Sequence, residues 1–149
     1  MADLASTYKR QGRLDEVEEL EVRVMDAKEA KLGSDHPKTL TAKNNLALTY
    51  DLQRRWDEAE KLQVQVLNAG QAKFASDHPD TLRFMANLAL TYWGQRRLDE
   101  AHSLLSHAVK MMQQIIGPQH PDTILYVKNL DNLSKNLFVC HGICTLTSI

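Results

Sequence analysis

The dipeptide His-Pro stands at residues 36, 78 and 120, two equal intervals of 42 residues, and no other feature of the chain restricts its fold as strongly. Sliding the sequence by that interval lays Asp35-His36-Pro37-Lys38-Thr39-Leu40 on Asp77-His78-Pro79-Asp80-Thr81-Leu82, and then on Gln119-His120-Pro121-Asp122-Thr123-Ile124, without a gap. The same frame superposes Asn45-Leu46-Ala47-Leu48-Thr49-Tyr50 on Asn87-Leu88-Ala89-Leu90-Thr91-Tyr92, with Leu4 to Tyr8 in register. It also aligns Arg13-Leu14-Asp15-Glu16-Val17 with Arg55-Trp56-Asp57-Glu58-Ala59 and Arg97-Leu98-Asp99-Glu100-Ala101. Three matched blocks in one frame exclude chance. A unit this short cannot cover its own apolar faces, so the copies must stack on one another to share a core.

Each unit reads as two helices. The first opens at His-Pro, where proline is tolerated because a first-turn amide has no intrahelical partner, with Asp35 or Asp77 just ahead as the expected cap. In the second full unit its apolar residues Leu82, Met85, Leu88, Ala89 and Tyr92 fall three or four apart on one face. The break is expected at Gln11-Gly12-Arg13, Gln53-Arg54-Arg55 and Gln95-Arg96-Arg97, on the view that a glycine or short side chain permits a tight turn. The second helix should bury Trp56, Ala59, Leu62, Val66 and Leu67 and leave Glu58, Glu60 and Lys61 in water. Small residues at Ala59 and Ala101 would let helix backbones approach closely. Helices are expected at 3–11, 14–32, 37–53, 56–73, 79–95, 98–116 and 121–137, with a weak point at Gly70, where glycine costs about 1 kcal/mol relative to alanine. Tyr8, Tyr50, Tyr92 and Trp56 are expected in the core, and truncating Trp56 should then cost about 3–5 kcal/mol.

With His-Pro-x-Thr-Leu, Asn-Leu-Ala-x-x-Tyr and Arg-x-Asp-Glu-Ala complete at 36–59 and 78–101, the chain resembles the tetratricopeptide repeat family, in the 42-residue variety of kinesin light chains and many fungal proteins. The resemblance spans residues 3 to 133. It implies an all-α fold, an α-α superhelix (a right-handed TPR solenoid) of about three antiparallel helix pairs plus a final unpaired helix. The array would occupy 1–137, as a partial repeat 1–35, repeats 36–77 and 78–119 and a partial repeat 120–137. Residues 138–149 form a divergent tail without charge, read as either a flap over the last inner helix or a disordered, aggregation-prone end. Met1 aligns with Lys43, and the frame decays after Leu130, so a fragment or degenerate end of a longer array is expected. Fungal relatives often carry a nucleotide-binding domain before such repeats, but this chain has no G-x-x-x-x-G-K-[ST] loop.

The resemblance also implies a binding site, because the first helices of successive units in this family line a concave side where extended peptides lie. The ladder Asn45, Asn87 and Asn129 holds the position that often clamps peptide backbone, and an amide both donates and accepts. Arg83, Leu90, Trp93 and Lys128 fall on or near the same face and would add charge and an aromatic contact. In the alternative reading each asparagine merely ties inner helices together. The histidines recur once per layer of roughly 10 Å, too far apart to share zinc, whose ligands lie near ~2 Å. Cys140, His141 and Cys144 supply at most three ligands, so no metal is expected, and a disulfide between the cysteines is disfavoured in a reducing compartment.

No base lies beside a nucleophile and no glycine-rich phosphate loop is present, so neither an enzyme nor a cofactor is expected. The Asp-Glu pairs at 15, 57 and 99 recur with the repeat and suit the positive ends of helices. A formal charge of −1 gives no electrostatic support for nucleic acid or an anionic membrane. The expected partner is a protein or peptide held in the concave groove, in the manner of cargo recognition by kinesin light chains, in a cytoplasmic setting. The alternative is a structural or assembly fragment of a larger signalling or NTPase-linked repeat protein, self-associating through exposed array ends.

Overall fold

The computed structural model describes residues 7–146, with side chains described for 7–137. Helix α1 occupies 7–10, followed by α2 (Leu14–Leu32), α3 (Pro37–Leu52), α4 (Trp56–Lys73), α5 (Pro79–Gly94), α6 (Leu98–Ile115) and α7 (Pro121–Leu146). There is no strand among the described residues. Helices α2 to α6 begin at the expected residue and stop there or one residue early. The last helix differs, since its backbone continues to Leu146 rather than ending at 137. The chain forms two compact units, Met1–Ser76 and Asp77–Ile149. In the first, α3 packs against both α2 and α4; in the second, α6 packs against both α5 and α7.

Every inner helix starts in the same way. The Nδ1 atoms of His36, His78 and His120 accept the backbone N–H groups of Lys38, Asp80 and Asp122 at 3.2, 3.1 and 3.2 Å. The histidine itself is therefore the cap, correcting the expectation that Asp35 and Asp77 serve. Proline in the first helical position has no N–H, so the next residue offers the first orphan donor, and the imidazole two positions earlier reaches it.

The outer helices start without a side-chain cap. Their N-cap residues Arg13, Arg55 and Arg97 each grip the glutamate three positions on, Glu16, Glu58 and Glu100. Each guanidinium also lies over a ring in the last turn of the preceding helix, at 4.2 Å from the Tyr8 centroid, 4.4 Å from Tyr50 and 4.0 Å from Tyr92. Tyrosine, arginine and glutamate thus clasp every hairpin turn, by cation–π attraction and paired charged hydrogen bonds. The arginine holds the Glu58 and Glu100 carboxyls below their ordinary range, while the Glu58 and Glu18 carboxylates push Arg55 above its own. The residue before each clasping arginine is left-handed: Gly12 at φ 74°, Arg54 at 60° and Arg96 at 67°. Two of the three turns therefore use a long side chain where a glycine or short residue was expected.

The core runs between the two helix layers of each unit. On α4 it comprises Ala59, Gln63, Val66, Leu67 and Gly70; on α5 it includes Leu82, Phe84, Met85, Leu88 and Ala89. Gly70 does not break α4, which continues to Lys73 with Gly70 on its buried face. Trp56, Leu62 and the three clasp tyrosines are half-buried and not in the core. The three tyrosine rings lie at the edge, each with a face against its arginine. On α7, Lys128 and Asp131 are exposed where α5 buries Ala86 and Ala89.

Candidate functional site

Residues 38, 41, 45, 48 and 52 of α3 are three or four apart and share one helix face. Lys38 and Asn45 are exposed, Thr41 and Leu48 are half-buried, and Leu52 is 57% exposed. Thr41 spends its hydroxyl on the carbonyl of Pro37 at 3.0 Å. The asparagine amide is the polar centre of a row whose far end is hydrocarbon, an arrangement that can hydrogen-bond a peptide group and shelter an apolar side chain next to it.

The second unit treats the equivalent row differently. Asn87 is only 4% exposed, and its Oδ1 accepts the hydroxyl of Tyr126 on α7 at 2.6 Å. Asn87 therefore ties α5 to α7. Burial pushes the Tyr126 hydroxyl up to about 12; nearby Asp122 adds to the shift and Arg83 opposes it. Arg83 is half-buried and donates from Nη2 to Asp80 Oδ1 at 2.8 Å, while its Nε is buried without a partner. Leu90, Trp93 and Asn129 are half-buried, Lys128 is exposed, and Leu125 stands 52% exposed on α7. The three asparagines thus occupy three environments: open at 45, closed at 87 and partly covered at 129.

The partner that closes position 87 lies 39 residues away. The frame offered a hint, since the residue equivalent to Tyr126 one unit earlier is Phe84, which has no hydroxyl. The exposed leucines at 52 and 125 were also missed. Their signal was an apolar residue in the row of the asparagines, one or two turns away.

Further concavities lie in the first unit. One of about 510 Å³ is lined by Gly12, Arg13, Asp15, Glu16, Gln53 and Arg55; there Arg13 pairs with Glu16, Gln53 donates to Asp15 at 3.1 Å, and Arg55 pairs with Glu18 and Glu58. Another of about 360 Å³ is bordered by Ser34, Asp35, Leu40, Lys43 and Asn68. There the buried Lys43 ammonium donates to Glu29 at 3.1 Å and Ser34 at 2.7 Å. Hydrogen bonds from Ser34 and Lys43 hold the Glu29 carboxyl below its ordinary range. No group of three or more His, Cys, Asp or Glu residues is placed to hold a metal ion among the described residues. The side chains of Cys140, His141 and Cys144 lie outside the described residues. No described helix is long and apolar enough to cross a membrane.

A family model described as "Tetratricopeptide repeat" matches residues 1–72 and 52–114. No curated protein sequence matches the chain. Among solved structures, a Podosopora anserina protein assigned as a kinesin light chain, with nearly identical TPR-like repeats, superposes with a TM-score of 0.80 at 27% identity. That match covers 88% of this chain and 62% of the other. BtubC (BKLC) from P. vanneervenii superposes with a TM-score of 0.75 at 24% identity, over 89% of this chain and 53% of that one, and speaks for the fold alone. The chain spans less than two thirds of the length of either structure.

Proposed function

The chain belongs to the tetratricopeptide repeat family, and from that premise we propose that it is a non-catalytic docking module for a protein or peptide partner, bound along the outward rows of its inner helices. Repeats of this family generally mediate protein–protein interaction, and proteins of this type are typically scaffolds rather than catalysts. The observation that supports the location is the row on α3, where the open amide of Asn45 precedes the exposed Leu52. The second unit, taken by itself, offers Leu125, Lys128 and Asn129 on α7 and Arg83, Leu90 and Trp93 on α5 as candidates of the same kind. Asn87 acts through the fold, by holding Tyr126. A cytoplasmic setting belongs to the same reading, since two cysteines in 149 residues make no disulfide framework.

A display library of random peptides panned against the purified chain tests this. Asn45→Ala combined with Leu52→Ser should weaken a selected peptide by roughly tenfold or more, the scale of losing a buried hydrogen bond and an apolar anchor, with helical circular dichroism unchanged. A peptide indifferent to both substitutions would refute the location.

Exposure of Ile124 (39%) and Leu125 on α7 favours the second reading, an assembly element that stacks through that helix. Sedimentation coefficients that rise with concentration, and cease to do so in Ile124→Lys/Leu125→Lys, would support it.

A further inference from the structure

The cleft of about 360 Å³ in the first unit is lined by residues that the next repeat only partly keeps. Ser34, Asp35 and Leu40 recur 42 positions on as Ser76, Asp77 and Leu82, but Lys43, Gln65, Asn68 and Ala69 give way to Met85, His107, Lys110 and Met111. Glu29, the ion-pair partner of Lys43, gives way to Gln71. The repeat therefore supplies its own control. Position 85 holds a methionine at 6% exposure, whereas position 43 buries an ammonium-bearing side chain to 8%. Hydrocarbon in place of a buried ion pair is commonly neutral or stabilising, so packing alone gives no reason for Lys43 and Glu29.

The groups around the cleft have bonding capacity to spare. Lys43 Nζ carries three N–H groups; one reaches Glu29 Oε1 at 3.1 Å, one reaches Ser34 Oγ at 2.7 Å, and the third has no partner among the described residues. Asp35 is exposed and is not spent as a helix cap, since His36 Nδ1 takes that part. Gln65 and Asn68 stand three apart on α4, hence on one face, and neither amide has a partner among the described residues. Leu40, 1% exposed, and Ala69 supply the apolar side. Glu29 already balances the ammonium, so Asp35 leaves these surroundings net negative and a bare anion is repelled. A ligand that fits brings a cation to Asp35 and, close beside it, a carbonyl oxygen to the donors of Lys43, Gln65 or Asn68.

We propose that this cleft captures the amino terminus of a peptide, with the α-ammonium on Asp35, the first carbonyl on the ammonium and amide donors, and the first side chain against Leu40 and Ala69. An amino terminus carries a cation and a carbonyl on the same carbon. A lysine or arginine side chain brings the cation without the neighbouring carbonyl. The volume falls within the ~300–1,000 Å³ typical of small-ligand sites. Leu40 and Lys43 occupy a different face of α3 from Lys38, Asn45 and Leu52, so this site stands independently of the row described above.

The test titrates the full chain with trialanine amide, and separately with its N-acetyl form, at pH 6.5, where an α-amino group with a pKa of about 7.7–8.0 is charged. Two-dimensional ¹H–¹⁵N NMR follows the side-chain amides of Gln65 and Asn68. The free-amine peptide should move both amides at one affinity. Acetylation of the peptide, or Asp35→Asn in the protein, should weaken that affinity by roughly threefold to tenfold, the scale of one charge-assisted hydrogen bond at a part-exposed carboxylate. Ala69→Met, which puts the second unit's longer side chain into the cleft, should abolish the response. Lys43→Met/Glu29→Gln copies the second unit's residues; it should melt at or above the wild-type midpoint and bind several-fold more weakly. Equal binding of the free and acetylated peptides, undiminished binding by Asp35→Asn, or shifts produced by inorganic phosphate and not by peptide would each overturn the proposal. So would the absence of any shift with the free-amine peptide.

Discussion

Removing one oxygen, in Tyr126→Phe, should change how the protein responds to alkali. The Tyr126 hydroxyl is buried against Asn87 and its proton is held to about pH 12, whereas an unfolded tyrosine releases it from about pH 10. Between those limits the unfolded state binds fewer protons than the folded one, so unfolding becomes more favourable as pH rises. The contribution is intact below pH 10 and lost progressively through the window. Two units at 1.36 kcal/mol each give a loss of roughly 2–3 kcal/mol. At neutral pH the same substitution costs about 1 kcal/mol, because it removes one hydrogen bond to a buried amide. Urea unfolding followed by circular dichroism, at pH 8 and again at pH 11.5, separates the two effects. The wild type should lose its advantage over Tyr126→Phe as pH rises. Parallel decline of both proteins would show that Tyr126 titrates as an exposed phenol, and the closed state of Asn87 would go with it.

Relief of backbone strain gives another prediction: Arg54→Gly and Arg96→Gly should each stabilise by about 0.5–1 kcal/mol, the left-handed penalty less the entropy glycine adds to the unfolded chain, and thermal midpoints should rise accordingly. Ala75, at φ 142° where the equivalent residues Gly33 and Gly117 both sit at 93°, should respond to Ala75→Gly in the same direction. The hydroxyls of Thr39, Thr81 and Thr123 are buried without a hydrogen-bond partner at three equivalent positions. Each replacement by valine should therefore be neutral or stabilising by about 1 kcal/mol in urea unfolding, and a loss of that size would show that the hydroxyl is satisfied. His78→Ala should cost about 1 kcal/mol through the lost cap, and His78→Asp should recover most of it.

The helices were legible because their boundaries are local. His36-Pro37, His78-Pro79 and His120-Pro121 start the inner helices by themselves, and apolar spacing carries each to its turn. The asparagines show where local reading stops. Asn45 and Asn87 have the same five residues after them, yet one is open and the other closed, because closure depends on Tyr126 in a different helix. The clasp was half legible: the glutamates were seen as helix-start carboxylates, but Arg13, Arg55 and Arg97 lie five residues from their tyrosines, across a turn whose geometry sequence spacing does not reveal. Trp56 shares a repeat position with Leu14 and Leu98, which suggested core, whereas the structure leaves it half-exposed. The cost of Trp56→Ala accordingly falls below the range for a fully buried ring.

The claim that the inner-helix row of the first unit is the contact surface is tested most directly by two-dimensional ¹H–¹⁵N NMR of the full chain, titrated with a library-selected peptide. The side-chain amide of Asn45 and the backbone amides of Leu48 and Leu52 should shift together and saturate at one affinity, while the side-chain amide of Asn87 stays in place. Shifts confined to α2, α4 and α6, with Asn45 unmoved at saturation, would contradict it.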